Sequence, residues 1–394
     1  MKIRPIFFVA LASLSVLSCE DHVDETPESS FIWNELTPPK YSFKRNDASS
    51  VDYKECDFLG QPLHTIYDNY LKPARVGNTS QFDLMLGYYK DGVYGIAPKD
   101  EISRSPLCLP YREQVLQDVE ALFDASRRIS GGYAAQASSI RNREAVPGST
   151  GFIGSDITDP NLLFVNEQGV VIAEVFRQYM NGAIILDKII NLHLDEQLYT
   201  SEQNINDHQN VVLPAGRNYT ELEHHWDLAY GYYKTFWQKY AQADGLPIMK
   251  HSHRKLFENF AYGRLAMTLY DYPRMLNYLR AIKEELSRVA VIRTMNFLLG
   301  PNTVANLQED PKFAYGFISQ AIGLIYALQF ASDADGQLYY QRADLLHLVS
   351  QLTAGEGLWD TQRLLADKDT EGSLLYTAAF IGDRFGITTD QIKR

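Results

Sequence analysis

Residues 172–190 read IAEVFRQYMNGAIILDKII, and this stretch carries the clearest structural signal in the chain. Its apolar side chains recur at helical spacings, at Ile172, Val175, Phe176, Tyr179, Ala183, Leu186 and Ile190. Because an α-helix completes one turn in about 3.6 residues, these positions form one continuous apolar stripe. The stretch therefore predicts a buried core helix.

Helical spacing continues along most of the chain from about residue 60, whereas alternating, strand-like stretches are few and short. The predicted helices cover about 61–71, 111–129, 172–190, 220–243, 254–269, 273–298, 312–331, 339–352 and 374–385. Long loops are predicted on either side of Asn142 and from about 195 to 217. Helices joined by short turns predict an all-α fold, an up-and-down helical bundle or two such bundles packed together.

The N-terminus has the order of a bacterial lipoprotein signal. Lys2 and Arg4 precede an apolar run from Ile6 to Leu17, which is followed by Ser18-Cys19. The run is shorter than the roughly 20 residues that a membrane-spanning helix needs. We therefore predict a signal peptide over 1–18 and lipidation of Cys19. The protein would be anchored in the outer membrane, on its periplasmic or cell-surface face.

The next segment, 19–50, is predicted to be a flexible tether. It begins with the acidic run EDHVDE and continues with a stretch rich in Pro, Ser and Thr, a composition that buries little apolar surface. Acid behind a lipidated cysteine resembles the surface-export signal of Bacteroidota lipoproteins, although an ordinary solvated linker has the same composition. Residues 51–394 are predicted to form a single all-helical globular domain, or two sub-bundles.

The overall charge excludes one class of partner. The formal net charge is −12, so the chain is a poor match for the phosphate backbone, and we expect no nucleic acid partner. Two cysteines remain besides Cys19, at Cys56 and Cys108. In an oxidising envelope they could form a disulfide, and the alternative is a pair of buried thiols.

The densest polar cluster of the sequence is Glu221-Leu222-Glu223-His224-His225-Trp226-Asp227. Residues three or four apart are neighbours on a helix, so Glu221, His224, His225 and Asp227 form pairs that could bind a divalent metal such as iron or zinc. Neighbouring helices would have to supply further ligands. Alternatively, the acids at the helix start serve the helix dipole, while His225 and Trp226 hydrogen-bond inside the core.

Signatures of catalysis are missing from the sequence. There is no Gly-x-Ser-x-Gly nucleophile elbow, no Walker loop and no His-Glu-x-x-His zinc motif. The segment Asp333-Ala334-Asp335-Gly336 has its glycine at the wrong position for a calcium loop and predicts a turn between helices. Binding is therefore favoured over catalysis.

Three segments together resemble a known family. They are Tyr219–Tyr232 (YTELEHHWDLAYGY), Gly263-Arg264-Leu265-Ala266 and the Phe317-Ile318 helix. They resemble the Bacteroidota lipoprotein family catalogued as domain of unknown function 4856, over about residue 40 to the end. Members of that family occur beside imelysin-like lipoproteins and TonB-dependent receptors. The resemblance therefore implies an envelope role in iron or metal acquisition, with such proteins as partners.

A more distant resemblance is to the imelysin-like helical lipoproteins, which are marked by Gly-x-His-x-x-Glu. His224 and Asp227 supply His-x-x-Asp without the preceding glycine, and Leu228 stands where His225 would require a glutamate. This departure weakens the transfer of a metal role. The leading hypothesis is a lipid-anchored, non-enzymatic accessory protein for metal uptake. The alternatives are a carbohydrate- or peptide-capturing surface lipoprotein and a metallohydrolase.

Overall fold

The computed structural model describes residues 40–76, 79–130, 144–154, 159 and 162–393. The predicted signal peptide, Cys19, most of the predicted tether and the predicted loop at Asn142 lie outside these residues. The residues from Pro39 to Arg394 form one compact unit.

The described chain is predominantly helical, which confirms the all-α prediction. Its helices are α1 (Glu55–Thr65), α2 (Thr79–Lys90), α3 (Pro98–Glu101), α4 (Arg112–Ile129), α5 (Ile172–Met180), α6 (Glu196–Thr200), α7 (Glu202–Gln209), α8 (Glu221–Tyr232), α9 (Ser252–Thr268), α10 (Tyr272–Leu299), α11 (Pro301–Glu309), α12 (Tyr315–Ala327), α13 (Arg342–Leu352), α14 (Thr361–Leu364) and α15 (Leu374–Asp383).

Three of these helices continue into π-helical turns. Ile66–Leu71 follows α1, Asn181–Leu186 and Lys188–His193 follow α5, and Tyr233–Trp237 follows α8. Two short antiparallel strand pairs complete the described fold: β1 (Lys44–Arg45) with β2 (Ala48–Ser49), and β3 (Gly151–Ile153) with β4 (Leu163–Val165).

The core is built around α5 and α10. The apolar stripe predicted from residue 172 onward is buried as expected, and α5 packs along α12. Gly182 and Gly323 permit this close crossing, because a Cβ at Gly182 would lie 2.2 Å from that of Ala327 and one at Gly323 would lie 2.5 Å from the Val175 carbonyl oxygen. Helix α10 packs against α9, α12 and α15.

Several expectations need correction. Residues 40–50 belong to the folded body: Phe43 is buried, and Tyr41 stacks on Tyr230 with ring centroids 3.6 Å apart. The predicted loop at 195–217 contains α6 and α7, and both begin with side-chain caps, Asp195 and Ser201. Helices α2 and α11 were not predicted: the apolar residues of α2 do not form one buried face, since Leu84 is exposed while Met85 is buried, and those of α11 are few.

The helical stretch Pro311–Phe330 is long and apolar enough to cross a membrane. In the structure, 72% of the most apolar 18-residue window of that stretch is buried. Its apolar character is therefore accounted for by its position in the core against α5 and α10.

Candidate functional site

The polar cluster singled out in the sequence begins helix α8. Thr220 accepts a hydrogen bond from the Glu223 backbone N–H at 3.4 Å, and the Glu223 carboxylate accepts one from the Thr220 N–H at 2.8 Å. This is a capping box, which the spacing of Thr220 and Glu223 would have allowed us to recognise. The acid Glu223 therefore caps the N-terminus of α8.

Arg264 of α9 lies at the centre of a buried ion cluster. Its side chain is 0% exposed, and its guanidinium contacts Glu223 at 3.0 Å and Asp227 at 3.1 Å. Arg45 of β1 contacts the same Glu223 carboxylate through two hydrogen bonds of 2.8 and 2.9 Å. The Tyr41 hydroxyl donates to Asp227 at 2.7 Å. The cluster therefore joins the N-terminal hairpin to α8 and α9.

Asp227 is fully buried, although a helical wheel places it opposite the apolar face of α8. The hairpin at residues 40–50 covers it, and Asp227 Oδ2 has no hydrogen-bond partner among the described residues. Burial raises the pKa of Asp227 to about 6, against the opposing charge of Arg264. Its carboxylate is thus held by Arg264 and Tyr41 and does not face the two histidines as a metal ligand would.

The two histidines point to different partners. The His224 ring stacks on Tyr219 with centroids 4.3 Å apart, and its Nδ1 lies 3.1 Å from the Asp52 carbonyl oxygen. The His225 Nδ1 lies 3.0 Å from the Nδ1 of His193, so one ring donates to the other. Burial lowers the pKa of both His193 and His225, and each also lies in the field of a neighbouring histidine.

The predicted metal ligands Glu221, His224, His225 and Asp227 therefore do not converge on one point. Glu221 is exposed in the first turn of α8, and the other three contact separate partners. Among the residues that the structure describes, no group of three or more His, Cys, Asp or Glu side chains has an arrangement that could hold a metal ion. The alternative interpretation of the cluster fits better, since the Trp226 Nε1–H donates to the Phe260 carbonyl oxygen inside the core.

The predicted disulfide is not formed. Cys56 and Cys108 are both free and buried. The Cys56 thiol donates to the Leu228 carbonyl oxygen of α8, whereas the Cys108 sulfur accepts from Asn191 Nδ2. The two thiols therefore occupy separate packing environments. Burial raises the pKa of each thiol, which favours the unreactive protonated form.

A cavity with a volume of about 520 Å³ lies beside α10. We call it the Lys283 cavity. Its polar lining comes from the end of the α5 π-helical turns, from α6, from α10 and from the 333–337 turn, and includes Asn191, Asp195, Glu196, Lys283, Asp335 and Gln337. The volume falls within the range of about 300–1,000 Å³ that is typical of small-molecule sites.

Lys283 is the unusual residue of this cavity. It is 3% exposed, yet its amine makes no hydrogen bond or ion pair with any residue that the structure describes. Burial lowers the pKa of Lys283, while the charges of Asp195, Glu196, Asp333 and Asp335 oppose that shift. Lys283 thus lines the cavity with an amine that no protein group occupies, which makes it available to an anionic group of a ligand.

The acids around the cavity are not equivalent. Glu196 is occupied by Arg280, whose Nε donates to it at 2.9 Å. Asp195 caps α6 through the Gln197 N–H at 3.1 Å, which leaves its second oxygen available. Asp335 is exposed at the turn and forms no ion pair within the described part of the chain. The lining thus offers one cation, Lys283, and two carboxylates with unused oxygens, Asp195 and Asp335.

Sequence reasoning did not identify this cavity. The turn at Asp333–Gly336 was predicted correctly, and the Asp333 carboxylate accepts from the Gln337 N–H at 2.8 Å. The one available signal for Lys283 was its place inside the long apolar pattern of α10, next to Ile282. The apolar pattern of α10 does not predict that α6 and the 333–337 turn lie beside Lys283.

Comparison with known proteins gives one result. A family model described as Domain of unknown function (DUF4856) matches residues 38–388. No curated protein and no solved structure matches the chain. The more distant resemblance to imelysins is not shown by these comparisons.

Proposed function

We propose that this chain, which belongs to the family described as Domain of unknown function (DUF4856), is a lipid-anchored envelope protein that binds small zwitterionic solutes in the Lys283 cavity. The solutes are amino acids or short peptides. One observation carries the proposal: Lys283, a largely buried residue whose amine has no partner among the described residues, lines a cavity of about 520 Å³.

The charges of the cavity favour a zwitterion over the other ligand classes. A carboxylate of the solute would pair with Lys283, where low polarity strengthens a charge-assisted hydrogen bond. Its ammonium group would pair with Asp195 and Asp335, which also line the cavity. A multiply charged anion would be repelled by the same two carboxylates. None of the described residues that line the cavity is aromatic, so they offer no stacking surface of the kind that sugar-binding sites often use.

Binding is tested by isothermal titration calorimetry with the dipeptide alanylalanine. Acetate carries only the carboxylate, methylamine carries only the ammonium group, and glucose carries neither. We expect heat of binding for the dipeptide alone. The Lys283→Met variant should lose at least about tenfold in affinity, because a charge-assisted hydrogen bond to the carboxylate is removed. Asp335→Asn should weaken binding by a smaller factor.

The variants have a matched control on the same helix. Glu284→Gln changes the neighbouring exposed charge of α10 and should leave the affinity unchanged. Lys283→Met should fold normally, since it removes an amine that has no protein partner. Dipeptide binding that survives Lys283→Met, or equal binding of glucose or acetate, would contradict the proposal.

The role in iron or metal acquisition stays a prediction. Because Glu221, His224, His225 and Asp227 do not converge, a metal site would require other donors. Metal analysis after chelation and reloading tests it, and stoichiometric binding that survives the double change His224→Ala with His225→Ala would exclude the original ligand set. Turnover that is sensitive to chelators would instead support a metallohydrolase.

A further inference from the structure

Two helix ends expose apolar side chains beside one another. Helix α7 is followed by Val211, Val212 and Leu213, which are 38%, 53% and 37% exposed. Helix α9 is followed by Leu269 and Tyr270, which are 43% and 44% exposed. We call these five residues the helix-end patch. Contiguous exposed apolar residues of this kind mark interaction surfaces on soluble proteins.

The His208 side chain links the two helix ends. His208 lies three residues before Val211, and its ring centroid is 5.2 Å from that of Tyr270. Its Nδ1 also lies 2.8 Å from the hydroxyl of Tyr272, at the start of α10. The helix-end patch is therefore one surface and not two separate loops.

Both helix ends have the same backbone arrangement. Val211 and Tyr270 each follow the C-cap residue of their helix with a positive φ, of 53° and 60°. In each case the next N–H donates at 2.9 Å to the carbonyl oxygen five residues back. Glycine is usual at this position, because the left-handed conformation disfavours a side chain and most of all a β-branched one. The fold alone therefore does not account for exposed Val and Tyr side chains here.

The hairpin of β1 and β2 is attached beside the helix-end patch. The Asn218 amide, five residues beyond Leu213, donates to three carbonyl oxygens of the hairpin at 2.9 to 3.1 Å. Arg264, five residues before Leu269, donates to the Ser50 hydroxyl at 3.3 Å. Five residues of helix span about 8 Å. The N-terminal end of the folded body thus lies close to the patch.

The place of the hairpin limits the distance between the patch and a lipid on Cys19. Twenty residues, 20–39, separate Cys19 from Lys40. As the flexible tether that the composition predicts, they would have an end-to-end distance of about 25 Å. The face of the body that carries the hairpin would therefore be held near the bilayer.

We propose that the helix-end patch inserts into the lipid surface to which Cys19 is anchored, and so fixes the orientation of the body on the membrane. This inference rests on the lipid anchor of the proposed function. The aliphatic side chains suit the acyl region, and the ring and hydroxyl of Tyr270 suit its polar boundary. A second copy of this chain would also cover apolar surface, but it gives no reason for the patch to lie where the tether joins the body.

The test uses the full chain purified from membranes, with acylation of Cys19 checked by mass spectrometry, in vesicles of phosphatidylethanolamine and phosphatidylcholine. A fluorescent maleimide is attached at Val212→Cys or, as the control, at Leu84→Cys on α2, where the leucine is 52% exposed. Cys56 and Cys108 are buried and should not react. Spin labels on the lipid acyl chains quench a probe that enters the bilayer. We expect quenching at position 212 and none at position 84.

Removing the aliphatic part of the patch should remove this contact. Leu213→Ser combined with Leu269→Ser should abolish the quenching at position 212, because less apolar surface is transferred from water to lipid. The matched control is Leu84→Ser combined with Leu365→Ser, which removes two leucines that are 52% and 38% exposed. It should leave the quenching at position 212 unchanged.

The possible failures can be told apart. Equal quenching at positions 212 and 84, or no quenching in acylated protein, would overturn the membrane contact. Sedimentation as a dimer that becomes a monomer in the Leu213→Ser, Leu269→Ser variant would assign the patch to a second copy instead. Absence of an acyl group on Cys19 would overturn the anchor and this inference with it, whereas binding of alanylalanine tests the Lys283 cavity separately.

Discussion

Replacing Arg264 by Met should destabilise the protein more than any other single charge removal on α9. Arg264 is 0% exposed and neutralises both Glu223, at 3.0 Å, and Asp227, at 3.1 Å. Removing one partner of a buried ion pair leaves an uncompensated charge, which costs about 3–5 kcal/mol. Here two carboxylates lose their shared partner, although Arg45 still compensates Glu223.

For a domain of about 350 residues, a loss of that size corresponds to a fall in Tm of roughly 4–7 °C. The assay is urea unfolding followed by circular dichroism, with Arg254→Met as the control on the same helix. The Arg254 side chain is 70% exposed and contacts Glu258 at 3.6 Å, so its removal should change the free energy of unfolding by less than about 1 kcal/mol.

A double-mutant cycle isolates the ion pair. Asp227→Asn combined with Arg264→Met removes both charges of one pair, and the double variant should cost less than the sum of the two single variants by at least about 1 kcal/mol. Additive effects, or a loss below about 1 kcal/mol in Arg264→Met, would refute the reasoning that this cluster joins the hairpin to α8 and α9.

Three further predictions follow from packing, titration and thiol burial. Gly182→Ala should destabilise the protein by about 1–3 kcal/mol in urea unfolding, because its Cβ would lie 2.2 Å from that of Ala327. Gly87→Ala, whose nearest contact would be 4.0 Å away, should be neutral or stabilising. Burial lowers the pKa of His208 to about 4. As the pH falls, this histidine is therefore protonated in the unfolded chain before it is protonated in the folded protein. The stability that His208 contributes is therefore present above about pH 6.5 and lost towards pH 4, and the wild-type advantage over His208→Gln should shrink by roughly 2–3 kcal/mol across that window. Cys56 and Cys108 should react with a thiol reagent only after unfolding, and rapid reaction of the native protein would contradict their burial.

The sequence predicted those features that depend on local periodicity. The stripe from Ile172 to Ile190 and the long pattern of α10 both specify buried helices, because 3.6-residue spacing places apolar side chains on one face whatever the partner. The hairpin at Lys44–Ser49 was missed, since strands of two residues carry no alternation. It was instead included in the tether on composition alone.

The candidate sites depend on contacts between distant segments, which helical periodicity does not predict. A helical wheel correctly places Trp226 on the buried face of α8. It contains no information on the hairpin from residues 40–50, which covers Asp227 and brings Arg45 to Glu223. The metal interpretation depended on His224 and His225 facing common donors, and the direction of each ring is decided by Tyr219 and His193 on other segments.

By itself, the sequence determined that the chain is helical, acidic and built on two apolar helices, because burial of a periodic stripe is a local property of the chain. Only the tertiary structure decided that Lys283 lines a cavity, and that Arg264 meets both Glu223 and Asp227. The physical reason is that cavities and buried charge clusters form between elements that are far apart in sequence. How close those elements lie depends on how the helices pack.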